Sequence, residues 1–360
     1  MTDEKKKVMV AMSGGVDSSV TAYLLQQEGF DIVGVTMKLY TNDDIDFVKD
    51  KTCCSLDDVE DAKSVAARLG ALHYTLNMTE DFRKDVMDKF VKSYRLGATP
   101  NPCIDCNRYI KFSKLLKKAI ELKMDLIATG HYARIEKSAD RYLLKKALDE
   151  SKDQSYVLYN LPQDMIDKVL FPLANFESKD EIRKIAKEHN LIVANKPDSE
   201  DICFIPDGNY KKFLEQNSDL KAKEGNIVTR QGKVIGKHTG LYKYTIGQRK
   251  GLGISNPVPL FVIGFNQEKN ELIVGEEKEL YSKQLNAIDA NWMIKDKLKE
   301  KIQVSAKTRY STKESKAIIY PIENGKMKVE FIEPQRAITP GQSIVFYDGD
   351  IVLGGGKIEI

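Results

Sequence analysis

Two groups of residues in this 360-residue chain have the types and spacing to do chemistry. The first is Ser13-Gly14-Gly15-Val16-Asp17-Ser18-Ser19, which follows the apolar run Val8 to Met12. Glycines at such a junction let backbone N–H groups approach a phosphate, a helix N-terminus adds positive potential, and Ser13, Ser18 and Ser19 bring hydroxyls. No G-x-x-x-x-G-K-[ST] string is present, so the lysine of a Walker-type loop is missing. A tight turn with a serine cap would also contain two glycines, and on the residues alone it stands beside an anion site as a reading of this segment. The second group is cysteine. Cys103 and Cys106 form a C-x-x-C inside Thr99-Pro100-Asn101-Pro102-Cys103-Ile104-Asp105-Cys106-Asn107, and Cys203 lies 97 residues further on in Asp198-Ser199-Glu200-Asp201-Ile202-Cys203-Phe204. Thiolates are strong nucleophiles and soft metal ligands. Cys53 and Cys54 stand before a helix and are assigned no chemistry.

The elements that must position these residues follow from periodicity. Short apolar runs (VMVAM, DIVGVTMKL, LHYTLN, DLIATGHYA) alternate with amphipathic stretches, including helices expected from about Asp17 to Glu28 and from about Leu56 to Leu69. Gly29 and Gly70 stand where those helices should end, Ser55 or Asp57 can cap the second, and Ser178 caps SKDEIRKIAKEHN. The proline-rich Thr99–Asn107 segment reads as a loop ahead of a helix near Tyr109. The rhythm predicts an α/β fold, a doubly wound parallel sheet of Rossmann type with ligands at the strand C-termini, over residues 1–205. Glycine-rich short strands at 206–278 predict a small linker domain, and the strand pattern of 279–360 an antiparallel β-barrel.

Composition sets the outer limits. At roughly 150 residues per domain, two or three domains are expected. With 42% hydrophobic and 30% charged residues and a net charge of +3, the chain is neither disordered nor a polycation. Five cysteines are too few for a disulfide framework. No N-terminal apolar segment with a cleavage site and no run of 18 apolar residues occurs, so a cytoplasmic protein without membrane contact is expected. The near-zero net charge hides local bias. Residues 40–62 hold eight acids and two bases, 210–251 ten bases and three acids, and 295–316 eight bases and three acids. The basic windows suit either a solvated lysine-rich face or one turned to a polyanion.

The string SGGVDSS resembles the loop of the PP-loop ATP pyrophosphatases. Together with T-P-N-P…C-N, T-G-H-Y-A-R (129–134), K-D-Q-S-Y (152–156), D-S-x-D-I-C-F and Y-T-I-G-Q-R-K-G-L-G-I (244–254), the chain resembles the tRNA-specific 2-thiouridylases, the MnmA family, over essentially its whole length. The resemblance implies ATP against Ala11, Met12, Ser13, Gly14, Gly15, Val16, Asp17 and Ser18, with Met37 and Gly130 contributing and Asp17 helping to hold Mg²⁺ with the pyrophosphate. It implies that Cys203 carries a persulfide sulfur and Cys106 resolves it, that Asn101, Pro102 and Cys103 contact the extruded base, and that His131, Lys152, Asp153, Gln154, Arg309, Tyr310 and Gln342 touch tRNA. The implied partners are tRNA, rather than DNA, and a sulfur-relay protein or other persulfide donor.

One position departs from the commoner family pattern, which has aspartate where Cys103 stands. A thiol begins near pKa ~8.5 rather than ~4, so Cys103 is not expected to serve identically to that carboxylate, and Asp105, two residues on, is the candidate substitute base. Cys103, Cys106 and Cys203 also make a three-thiolate set for a [4Fe–4S] cluster with one open iron, an alternative to the persulfide–disulfide scheme. A PP-loop amidotransferase acting on a small metabolite and a non-enzymatic, ATP-gated RNA-binding module are the rival functions.

Overall fold

The computed structural model describes residues 5–45, 56–198, 202–294 and 297–359. Cys53, Cys54, the cap candidate Ser55, and Ser199 to Asp201 lie outside the described residues. The chain forms two compact units. The first comprises Met1–Met87, Pro102–Gly208 and Asp350–Val352, the second Asp88–Asn101, Asn209–Gly349 and Leu353–Ile360.

In the first unit, β1 (Lys7–Ala11), α1 (Val16–Gln27), β2 (Asp31–Lys38), α2 (Leu56–Arg68) and β3 (Leu72–Asn77) follow the expected alternation. With β4 (Leu126–Ala128) and β7 (Val169–Leu170), the strands form a parallel sheet in the order β3-β2-β1-β4-β7. β1 lies in the middle of the sheet, and Val8, Met9 and Val10 are each fully buried, in keeping with a continuously apolar run. Strand order reverses between β1 and β4, so the loops leaving these strands open side by side, where α/β sheets bind ligands. Gly29 and Gly70 end α1 and α2 at φ +89° and +66°, a left-handed turn that glycine adopts without steric cost. Ser178 opens α4 (Lys179–Glu188) with a capping box, its N–H donating to Glu181 Oε1 at 3.1 Å. A hairpin of β5 (Ala133–Ser138) and β6 (Arg141–Lys146) completes the unit.

The C-x-x-C segment is not the expected loop. Helix α3 begins at Pro102 and runs through Pro102–Asp105, wider π-helical turns at Cys106–Leu115, and Leu116–Glu121. Proline fits the first helical turn because its missing N–H has no partner there and its φ is already helical. Cys103 and Cys106 are therefore three residues apart on consecutive positions of one helix face.

The second unit contains a four-stranded sheet in the order β10-β11-β8-β9, from β8 (Gly225–Thr229), β9 (Val234–His238), β10 (Phe261–Asn266) and β11 (Glu271–Gly275). Its other part is an antiparallel barrel of β12 (Tyr281–Trp292), β13 (Ile302–Lys307), β14 (Ser315–Pro321), β15 (Met327–Arg336), β16 (Ser343–Asp348) and β17 (Ile351–Ile358). Pairing of β12 with both β15 and β17 closes the barrel.

Candidate active site

The anion loop is built by its own serines. Ser18 Oγ and Ser19 Oγ donate to the Gly15 carbonyl at 3.2 and 2.9 Å, and Ser13 N–H donates to Ser18 Oγ at 3.1 Å. Ser18 and Ser19 thus shape the loop, and Ser13 is its exposed hydroxyl. Gly14 sits at φ +71° with its Cα against the backbone of Asp58 in α2. Lys196, on a distant loop, donates to the Gly14 carbonyl at 2.9 Å and pairs with Asp58 at 2.5 Å and Asp61 at 2.7 Å. Burial disfavours its charge, but the two carboxylates more than compensate and raise its pKa.

Asp17 is held from two sides. Tyr132 Oη donates to Oδ1 at 2.7 Å and Lys179 Nζ to Oδ2 at 2.9 Å. Lys179 also reaches Asp198 Oδ1 at 2.7 Å, which Arg183 contacts at 2.8 Å, while Lys152 meets Oδ2 at 3.3 Å. Burial opposes the Asp198 charge, and the Lys179 and Lys152 ammoniums overcome it, holding the carboxyl below its usual range. A chain of charges therefore joins the phosphate loop to the start of the Cys203 segment. Sequence reasoning missed Lys179, Lys196 and Lys111. One signal was legible for Lys179: a cation in the first turn of a helix opposes the dipole and needs an anionic partner.

These parts converge on one cavity of about 340 Å³. Ala11, Met12, Ser13, Asp17, Ser18, Met37 and Gly130 line one part, and Pro102, Cys103, Cys106, Lys111, His131, Gln154 and Cys203 another. Gly14, Gly15 and Val16 belong to the loop behind this lining, and Asn101 is not part of it. Cys106 is 8% exposed, Cys203 half-buried and Cys103 exposed, all three as thiols. Tyr40 Oη donates to the Cys203 carbonyl at 2.6 Å, and Phe204 is edge-on to Phe82 with centroids 5.7 Å apart, so the Cys203 backbone is anchored.

Burial pushes the Cys106 thiol up to about 11, with the Lys111 ammonium pulling the other way and Cys103 and Asp105 adding to the rise. Lys111 Nζ also lies 3.4 Å from His131 Nε2, and His131 Nδ1 is 2.6 Å from Thr129 Oγ1. An ammonium only donates, so Nε2 accepts and the imidazole is neutral. Burial first, then Lys111, holds its pKa well below the ordinary histidine value. Replacing Lys111 by Met removes the cation that favours the Cys106 thiolate. Ionisation of Cys106 should then need a higher pH, and iodoacetamide labelling of Cys106 at pH 8, followed by peptide mass spectrometry, should slow by about tenfold for each unit of further rise. An unchanged rate would show that Lys111 does not act on this thiol.

Among the described residues, no group of three or more His, Cys, Asp or Glu side chains is disposed to hold a metal ion. The three cysteines share the cavity without forming the ligand set expected of a [4Fe–4S] cluster. Asp17 is one carboxylate already bearing a lysine. That donor set suits magnesium arriving on substrate phosphates rather than a protein-built cage.

The residues expected to touch tRNA fall into different environments. His131 and Gln154 line the cavity, with Gln154 Oε1 accepting from Tyr132 N–H at 3.0 Å. Asp153 accepts from Ala147 N–H and from Ser155 N–H and Oγ, which fixes a turn, and Lys152 serves Asp198. In the second unit, Arg309 donates to the carbonyls of Ile246 and Ala337 at 3.1 and 3.0 Å and to Thr339 Oγ1. Gln342 Nε2 donates to the Thr99 carbonyl at 2.7 Å. Both side chains hold loops of the protein's own fold. Tyr310, 43% exposed with the Lys307 ammonium 5.8 Å from its ring centre, keeps the surface character expected of an RNA contact.

Residues 6–207 match the family model described as tRNA methyl transferase HUP domain, 211–276 the tRNA methyl transferase PRC-barrel domain, and 282–358 the aminomethyltransferase β-barrel domain. The tRNA-specific 2-thiouridylase MnmA of Caldicellulosiruptor saccharolyticus is 53% identical over 358 residues, and that of Acetivibrio thermocellus 50% over 358, each alignment covering 99% of both chains. Among solved structures, a 4-thiouridine synthetase–RNA complex with bound ATP is 20% identical over 59% of this chain and 50% of its own, with a TM-score of 0.38. The full-length relatives decide the assignment: the chain belongs to the tRNA-specific 2-thiouridylase family.

Proposed function

We propose that this protein uses MgATP to convert the wobble uridine of tRNA to 2-thiouridine. The observation that carries the reading is the single cavity lined both by the Ser13–Ser18 loop and by the thiols of Cys106 and Cys203. A uridine C2 oxygen leaves poorly until esterified. Attack of that oxygen on the ATP α-phosphate releases pyrophosphate and makes AMP the leaving group. The loop N–H groups and the α1 N-terminus bind the phosphates, with Asp17 and Lys179 at the same edge. The outer sulfur of a Cys203 persulfide then attacks C2 and AMP departs. Cys106 thiolate attacks Cys203 Sγ, forming the Cys106–Cys203 disulfide and leaving the transferred sulfur on tRNA.

The target C2 is reached only when the base leaves the anticodon stack, and the cavity has room beside Pro102 and Cys103 for a flipped base. The sulfur reaches Cys203 from a persulfide donor, here a sulfur-relay protein, and the reaction belongs in the cytoplasm with its tRNA. Among the described residues no helix is long and apolar enough to cross a membrane.

Incubation with unmodified tRNA, MgATP and a persulfide donor should yield 2-thiouridine by nucleoside mass spectrometry, with tRNA-dependent release of AMP and pyrophosphate. ATP cleavage without a thionucleoside would favour a different PP-loop reaction such as amidation. Absence of ATP cleavage would leave an RNA-binding module.

A further inference from the structure

We propose that Cys103 is a second resolving thiol, which carries the disulfide from the Cys106–Cys203 pair, whose Cys106 is buried and Cys203 half-buried, to the exposed start of α3. This rests on the Cys106–Cys203 bridge of the functional reading and extends it to turnover. Cys103 thiolate attacks Cys106 Sγ. The Cys106–Cys203 bond breaks, the Cys103–Cys106 bond forms, and the proton lost by Cys103 ends on Cys203. The exchange is redox-neutral, and the two electrons that reset the C-x-x-C pair come from a dithiol reductant outside the chain.

Three observations support this route. All three thiols line the same cavity, so the exchange needs no fourth group. Cys103 and Cys106 are three residues apart in the first turns of one helix. Helix geometry puts such Cα atoms roughly 5 Å apart, inside the range that disulfides span. The exposures run in the needed order: Cys106 is 8% exposed and Cys103 lies on the surface. A reductant reaches a bridge between buried Cys106 and half-buried Cys203 less readily than one that includes exposed Cys103. Cys203, anchored through Tyr40 and Phe204, is returned in place for reloading.

The test uses the full-length protein in two arms. In the first, wild type and Cys103→Ser are oxidised with diamide, quenched in acid with N-ethylmaleimide and mapped by mass spectrometry. Wild type should hold a Cys103–Cys106 disulfide with Cys203 alkylated. Cys103→Ser should hold Cys106–Cys203, reduced by dithiothreitol at least about tenfold more slowly. Wild type that keeps Cys106–Cys203 with Cys103 alkylated would overturn the proposal. A Cys103→Ser protein with no disulfide at all would overturn both the proposal and the resolving step on which it rests. In the second arm, one turnover with unmodified tRNA, MgATP and a persulfide donor, without reductant, should leave the same Cys103–Cys106 bond. Failure to form thionucleoside there counts against the functional reading alone, because the diamide arm decides the exchange.

Discussion

Cys203→Ser should abolish thiolation, a loss of about 10³-fold or more, because in the proposed scheme residue 203 carries the sulfur, a hydroxyl cannot hold a sulfane sulfur, and removing the nucleophile of a concerted catalytic unit costs that much or more. The fold should survive. The anchoring bond from Tyr40 reaches the backbone carbonyl of residue 203, and the Phe204 contact is untouched. Pyrophosphate release in the first turnover should therefore persist, since the proposed adenylation relies on Asp17, Lys179 and the Ser13–Ser18 loop rather than on Cys203. Cys106→Ser should differ in kind: sulfur reaches C2 but is not released, leaving a tRNA–protein adduct that a thiol reductant cleaves and a non-reducing gel displays. A Cys203→Ser protein that thiolates tRNA at the wild-type rate would remove this residue as the sulfur carrier.

Gly14→Ala should lower pyrophosphate release by about 10²-fold or more, since displacements of about 1 Å at reacting groups cost that much. Two effects combine. At φ +71° an L-residue is strained by about 1–2 kcal/mol. Its Cβ would also collide with the backbone carbonyl of Asp58, which cannot rotate aside as a side chain would. Either α2 or the phosphate loop must move, and Lys196, bonded to both Gly14 and Asp58, resists their separation. Gly29→Ala is the control. It has φ +89° but no atom within 4 Å of the added methyl, so it carries strain alone and should lower the melting temperature without touching ATP cleavage. Equal activities for the two variants would show that the loop tolerates displacement at Gly14.

The phosphate loop was legible because its information is local. An apolar run, two glycines and a helical period occupy some twenty consecutive residues, and periodicity reports such segments well. The start of α3 was not, because Pro100 and Pro102 suit a rigid loop and a first helical turn alike, and only the surrounding packing selects between them. The cysteines were visible as types, but their meeting in one cavity spans 97 residues and came through resemblance rather than pattern. Arg309 illustrates the limit of charge counting. It lies in a basic window, yet its guanidinium turns inward to two carbonyls and a threonine hydroxyl, an orientation that window charge does not encode. Lys111, Lys179 and Lys196 escaped for the converse reason. Each looks like a surface lysine until folding supplies a partner, which for Lys179 is Asp17, 162 residues away.

The two compact units are also interleaved in the chain, and this has a consequence for biosynthesis. Asp350–Val352 belong to the first unit, where Asp350 pairs with Arg134 at 2.6 Å and with Lys145 at 3.3 Å, and Ile351 pairs in register with Lys145. The half of the protein that holds the cavity is therefore unfinished when the ribosome has passed Gly208. At ~5–20 residues per second its last strand emerges roughly seven to thirty seconds later. A nascent chain cannot complete the unit that holds the cavity before nearly all of the barrel has been made, so a message broken within the barrel's coding region yields no fully assembled cavity-bearing fragment.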